Sequence, residues 1–193
     1  MQHKHKVIVL RALPYGESDL ILHTLSHQGE RLNLLARGAR KSKKRFGGGV
    51  LQPPHYIQTV ISQKKSHSEL FLLQEAQLLN DFPLLKSDYD RIETALYFVK
   101  MIDKVSHFQT AGAQQLFDLL GNGLKLTELT VDLSLLRLHF NVKFLFMLGF
   151  LQVNSDWQQL LAVSLKDHLR IQISDQEKSS RLAQINHLIQ QAL

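Results

Sequence analysis

Hydrophobic positions in this chain follow two rhythms, and the change from one to the other falls near residue 80. From Lys6 to about Leu79 the apolar residues come in short, punctuated runs: VIVLRAL, a turn-like PYGESD, LILHTLS, HQGE and RLNLLAR, then after an interruption HYIQTVI and ELFLLQ. Runs of this length bounded by Gly, Pro and Asp predict five strands, with a hairpin turning at Gln28-Gly29. Pro53 and Pro54 cannot donate to a central ladder and suit the entrance of a strand. Five short strands become stable when the sheet closes on itself, and the five-stranded barrel that binds nucleic acid is the OB fold.

From Leu84 onwards the period lengthens. Ile92, Leu96, Val99 and Ile102 step along one face of a helix, and Leu116, Phe117, Leu119 and Leu120 sit in a second, which Gly121-Asn122-Gly123 is expected to end. Residues 131–150 are apolar on almost every side and predict the central, buried helix of a bundle. Ser174 and Glu177 have capping-box spacing ahead of a stripe at Leu182, Ile185, Leu188 and Ile189. The predicted class is therefore α+β, with a five-stranded OB-fold barrel over residues 1–80 followed by an α-helical domain over 81–193. There is no internal repeat.

With 193 residues, 44% of them hydrophobic, the chain can bury a proper core. It contains no Cys, which excludes disulfides, Cys-ligated zinc, iron–sulfur clusters and thiol nucleophiles. The start, MQHKHKVIVL, has only four apolar residues before Arg11, too few for a secretory signal core. The longest apolar stretch, Phe144 to Leu151, is eight residues and far short of a membrane span. These features point to a cytoplasmic protein with no membrane partner.

Charge changes the picture most. Residues 1–67 hold 12 positive and 3 negative side chains, whereas residues 68–193 hold 11 and 14, so the net +6 is a basic head on a faintly acidic body. The excess concentrates in RGARKSKKRFGGG, where Arg37, Arg40, Lys41, Lys43, Lys44 and Arg45 run into three glycines with no acidic residue among them. Mutual repulsion and glycine's freedom should keep such a segment solvated and mobile, and the polyanion best suited to neutralise it is a phosphate backbone. Lys4, Lys6, Arg11, Arg31, Lys64 and Lys65 could widen the footprint. Stacking partners are few: Tyr15, Phe46, Tyr56 and Phe71 are the only aromatic residues among the first 80, and Tyr56 and Phe71 read as core. Binding governed by the sugar–phosphate backbone and indifferent to sequence follows, with Phe46 as the stacking residue.

Signals for catalysis are scarce. GxSxG, P-loop, HExxH and paired-carboxylate motifs are missing, and the GGG at 47–49 lacks the strand and helix context of a dinucleotide fingerprint. His3, His5, His23 and His27 have no companion Cys or carboxylate cluster at ligand spacing, and Glu17 and Asp19 read as solvated or paired. A non-enzymatic protein without metal or cofactor is expected.

The succession VLRALPYGESDLILHTLS, then GERLNLLARGARKSKKRFGGGVLQP, resembles the amino-terminal domain of bacterial RecO proteins, which are recombination mediators. That family carries a YGE-x-D segment, a G-A-R basic stretch and an FGG-x-x-L-Q-P tail in this order. Tyr15, Gly16, Glu17, Asp19, Gly38, Ala39, Arg40, Phe46, Gly47, Gly48, Leu51, Gln52 and Pro53 match it. The match is specific over about residues 7–53; beyond that, FLFMLGF is similar to the helix that precedes the family's Cys-rich zinc module. Here the following residues are NSDWQQLL, without Cys, so no zinc site is implied. Lys44 stands where the family often has Ser, and Pro54 where it often has an aromatic residue. The resemblance implies a protein that binds single- and double-stranded DNA, anneals complementary strands and, with RecR, assists RecA loading on DNA coated by single-strand-binding protein. It also implies contact between the helical domain and that protein's acidic tail, for which Arg137 and Lys143 on the apolar helix are candidates. The competing expectation is a protein-interaction adaptor whose helices bind partners while the basic loop serves solubility.

Overall fold

The run Val7-Ile8-Val9-Leu10 offers no polar position, and in the computed structural model it belongs to a strand buried on both sides. The structure describes residues 2–42, 45–62, 70–107 and 113–192. Strands β1 (Gln2–Tyr15), β2 (Asp19–Ser26), β3 (Arg31–Ala36), β4 (Tyr56–Ser62) and β5 (Leu70–Asn80) form a closed barrel in the order β1-β2-β3-β5-β4. All neighbours are antiparallel except β3 and β5. The barrel is OB-like, with the five strands and the β2–β3 hairpin where the pattern of the chain places them.

β1 closes it. Its first half pairs with β4 and its second with β2, and a register shift between Val9 and Arg11 lets one strand serve both neighbours by bending. Val7 and Val9 point inward onto Leu22, Leu34, Ile57 and Leu73. Ile8 and Leu10 point outward and, with Leu25, join the core of the helices. A continuous apolar run is what burial on both faces requires.

Among the described residues five α-helices follow: α1 (Tyr89–Val105), α2 (Ala113–Leu129), α3 (Leu133–Met147), α4 (Ser155–Ala162) and α5 (Asp175–Ala192). Their starts are set by side-chain caps. Asp88, Asp132 and Asn154 accept from the backbone N–H groups of Asp90, Leu135 and Trp157, and the Ser174 hydroxyl accepts from Glu177 N–H at 3.2 Å. As the apolar pattern predicts, α3 is central, with Leu136, Leu138, Phe140, Val142, Phe144 and Leu145 all fully buried.

Two details of the helical half differ from the expectation. α2 does not stop at Gly121-Asn122-Gly123 but runs through to Leu129. Gly123 faces the stacked rings of Phe98 and Phe140, whose centroids are 3.8 Å apart, and a Cβ there would lie 3.0 Å from Phe140. That glycine serves close packing between helices, not termination. Leu96 is 43% exposed, and α1 instead buries Ala95, Phe98, Val99, Met101, Ile102 and Val105.

Barrel and helices also meet through a buried ion cluster. The Asp103 carboxylate of α1, 5% exposed, takes Arg11 Nη2 at 2.7 Å and Arg31 Nη1 at 2.9 Å. Arg31 also donates to the Asp103 carbonyl and the Ser106 hydroxyl and touches His23 Nδ1. Burial pulls the Arg31 guanidinium below its ordinary range, and Asp103 opposes that shift. One residue each from β1, β2 and β3 is thereby fastened to α1.

Candidate nucleic-acid interface

The basic segment leaves β3 after Ala36 and reaches β4 at Tyr56. Its apolar residues sink into the barrel. Ala39, Phe46 and Leu51 are buried beside Val7, Leu34 and Ile57, and a single 3-10 turn at Gly47–Gly49 links the last two, with Gly49 at φ +72°. The charged residues between them face out. Arg37, Arg40, Lys41 and Arg45 are all exposed, and among the described residues none of the four is paired with a carboxylate.

The backbone is held from beneath. Gly38, at φ +64°, donates its N–H to Asp19 Oδ1 at 2.8 Å, a conformation and an approach suited to glycine. Arg40 N–H donates to the Ser18 carbonyl at 2.9 Å, and its guanidinium reaches the Glu17 carbonyl at 3.3 Å. Ser42 N–H returns to the Gly38 carbonyl, and Arg45 Nη2 donates to the Arg37 carbonyl at 2.9 Å. The described part of the loop is therefore anchored on the β1–β2 hairpin, which corrects the expectation of a mobile segment. Repulsion among the cations is outweighed locally because the backbone has acceptors within reach and the apolar residues have a core to enter. Asp19 spends its carboxylate on that backbone, not on any of the cations.

Phe46 requires a second correction. Its ring is 5% exposed within the barrel, with the Arg45 guanidinium 5.1 Å from its centroid, so it has no free face on which a base could stack. Two of the widening cations are also spoken for: the Arg31 side chain is 8% exposed in the Asp103 cluster, and Arg11 is tied to the same carboxylate. Lys4 and Lys6 are exposed, but they pair with β4 at the end of β1 remote from the hairpin that holds the loop. Lys43, Lys44, Lys64 and Lys65 lie outside the described residues.

On the helical side, Arg137 stacks on the Tyr97 ring at 3.9 Å and approaches Glu93 at 3.5 Å. Lys143 donates to the Leu161 carbonyl at 2.8 Å, and burial lowers the pKa of its ammonium group. Both cations already have partners within the chain, so neither stands free beside an apolar pocket. No group of three or more His, Cys, Asp or Glu among the described residues is arranged to hold a metal ion. No helix among them is long and apolar enough to cross a membrane. The contacts that organise the loop, Asp19 to Gly38 and Ser18 to Arg40, have no signature in the sequence because they join residues about 20 positions apart.

Residues 1–82 match the family model described as Recombination protein O N terminal. Curated relatives include the DNA repair protein RecO of Syntrophus aciditrophicus, 33% identical over 148 residues, which cover 77% of this chain and 56% of that protein. The DNA repair protein RecO of Desulfosudis oleivorans is 32% identical over 147 residues, covering 74% and 54%. That of Thermodesulfovibrio yellowstonii is 30% identical over 155 residues, covering 78% and 59%. The chain thus spans little more than half the length of the curated relatives it matches.

Proposed function

Through its amino-terminal barrel this chain belongs to the RecO family, and we propose that it is a DNA repair and recombination mediator that binds single- and double-stranded DNA without regard to sequence. The observation that carries this reading is the outward row of Arg37, Arg40, Lys41 and Arg45, unpaired with carboxylates and mounted on a closed OB-like barrel. Lys43 and Lys44 fall in the same segment and add to its charge.

The action requires no bond chemistry. Two DNA strands repel each other through their phosphates, and a cationic loop that neutralises both releases counterions and brings the strands together, leaving base pairing to read the sequence. This supports annealing of complementary strands. On the same reading, the protein works with RecR to load RecA onto DNA coated by single-strand-binding protein, and the helices supply the surface for protein partners. It acts without a metal or cofactor of its own.

The test is salt dependence. If all six basic side chains meet phosphates of a single strand, they contribute about −4 to the slope of log affinity against log salt. Replacing all six with Ala should flatten the slope by about that amount while the thermal melt is retained. An unchanged slope would reject the assignment and favour an adaptor whose basic loop serves only solubility.

A further inference from the structure

We infer that Tyr15 is a base-stacking residue of this interface, and that it gives the protein a preference for unpaired over duplex DNA that the basic loop alone cannot supply. The inference rests on the DNA-binding reading above and names which strand form the same surface selects.

Tyr15 ends β1 and pairs with Asp19 across the hairpin. That hairpin is the support of the cationic loop: Asp19 accepts from Gly38, Ser18 from the Arg40 backbone, and Glu17 from the Arg40 guanidinium. Tyr15 lies two residues from the carbonyl that Arg40 touches, within about 7 Å along the backbone. Its orientation follows from strand alternation. Ala12 packs against the barrel interior while Arg11 reaches out to Asp103, so Leu13 and Tyr15, two and four residues beyond Arg11, share the outer face. Both are open to solvent, Leu13 at 39% and Tyr15 at 54%.

An aromatic residue that merely completed a core would be covered, as Tyr56 is by Phe117 at 6.0 Å. Tyr15 belongs to neither hydrophobic cluster, and among the described residues its hydroxyl has no hydrogen-bond partner and its ring no aromatic neighbour. It supplies what Phe46 cannot, an exposed ring on the hairpin that anchors the cationic loop. A ring can stack only on a base whose face is uncovered, and in a duplex each base is covered by its neighbours. Phosphate neutralisation is common to both forms of DNA, so the ring is the element that discriminates.

Tyr15→Ala and Tyr15→Phe would be compared with the unaltered chain by fluorescence anisotropy, using an oligothymidylate and a duplex of equal length at several salt concentrations. Tyr15→Ala should weaken single-strand binding by about 5- to 150-fold. Duplex affinity and both salt slopes should hold, because no charge is removed, and Tyr15→Phe should bind like the original. Single-strand binding that survives Tyr15→Ala, or an equal loss on both substrates, overturns the inference while leaving the proposed function standing. Failure of the unaltered chain to bind either DNA removes both. A circular-dichroism melt of each variant confirms that the barrel is intact.

Discussion

Replacing Asp103 with Ala tests how the barrel is joined to the helices. In the native structure this carboxylate, 5% exposed, faces Arg31, whose side chain is 8% exposed, and Arg11, whose side chain is 51% exposed. Removing one partner of a buried ion pair costs about 3–5 kcal/mol, because a desolvated charge is left behind. Arg31 would keep the backbone carbonyl of residue 103 at 3.0 Å and the Ser106 hydroxyl at 2.6 Å, which places the cost at the lower end, about 3 kcal/mol. For a chain of 193 residues that is a fall in melting temperature of about 6–12 °C, measurable by differential scanning calorimetry. Arg11→Ala breaks the solvent-exposed arm of the same cluster and should cost no more than about 1 kcal/mol. The pair Asp103→Leu with Arg31→Met removes both buried charges and should recover most of the loss. If Asp103→Ala melts within about 2 °C of the original protein, or if Arg11→Ala costs as much as Asp103→Ala, the cluster does not carry the junction.

Phe46→Ala should destabilise the barrel by about 3–5 kcal/mol in urea titration, whereas Phe46→Leu should retain DNA affinity; a loss of affinity in a folded Phe46→Leu protein would restore the ring to a direct role in binding. Acid should weaken the fold through His139, which is fully buried and whose pKa is lowered from 6.5 to about 4 by burial, with the nearby Lys143 cation adding to the shift. The unfolded chain accepts a proton near pH 6.5 that the native ring refuses until about pH 4, so this contribution is complete above pH 6.5 and falls by about 3 kcal/mol as the pH drops through that window. His23, His55 and His168 are shifted in the same direction by burial, so His139→Leu should flatten the acid limb of a melting-temperature profile without abolishing it. An unaltered limb would refute the assignment. Gly123→Ala should lower stability by about 1 kcal/mol even though Ala favours helix, since its Cβ would crowd two stacked, fully buried rings; a more stable variant would show that Phe98 and Phe140 can yield.

Much of this was legible along the chain. Short apolar runs punctuated by turn residues marked all five strands, the apolar run after Val131 marked the central helix, and the one-signed segment from Arg37 to Arg45 marked the cations on which the proposed interface rests. The failures share a cause. Phe46 sits among cations in the sequence and inside the barrel in space, and Gly123 resembles a stop signal until the rings opposite it are seen. Arg31 and Asp103 are 72 residues apart, so nothing in the local pattern distinguishes a cation committed to a buried carboxylate from one free to meet phosphate.

What the sequence determined by itself is whatever depends on local periodicity and composition: element type, a basic head on a faintly acidic body, and the motifs of a RecO amino-terminal domain. Tertiary structure alone decided which side chains are available. Availability depends on what lies across a strand or a helix face, and those neighbours come from distant parts of the chain. Packing therefore withdrew Phe46 into the core and left Tyr15 in solvent, and it consumed Arg31 while leaving Arg37, Arg40, Lys41 and Arg45 facing outward.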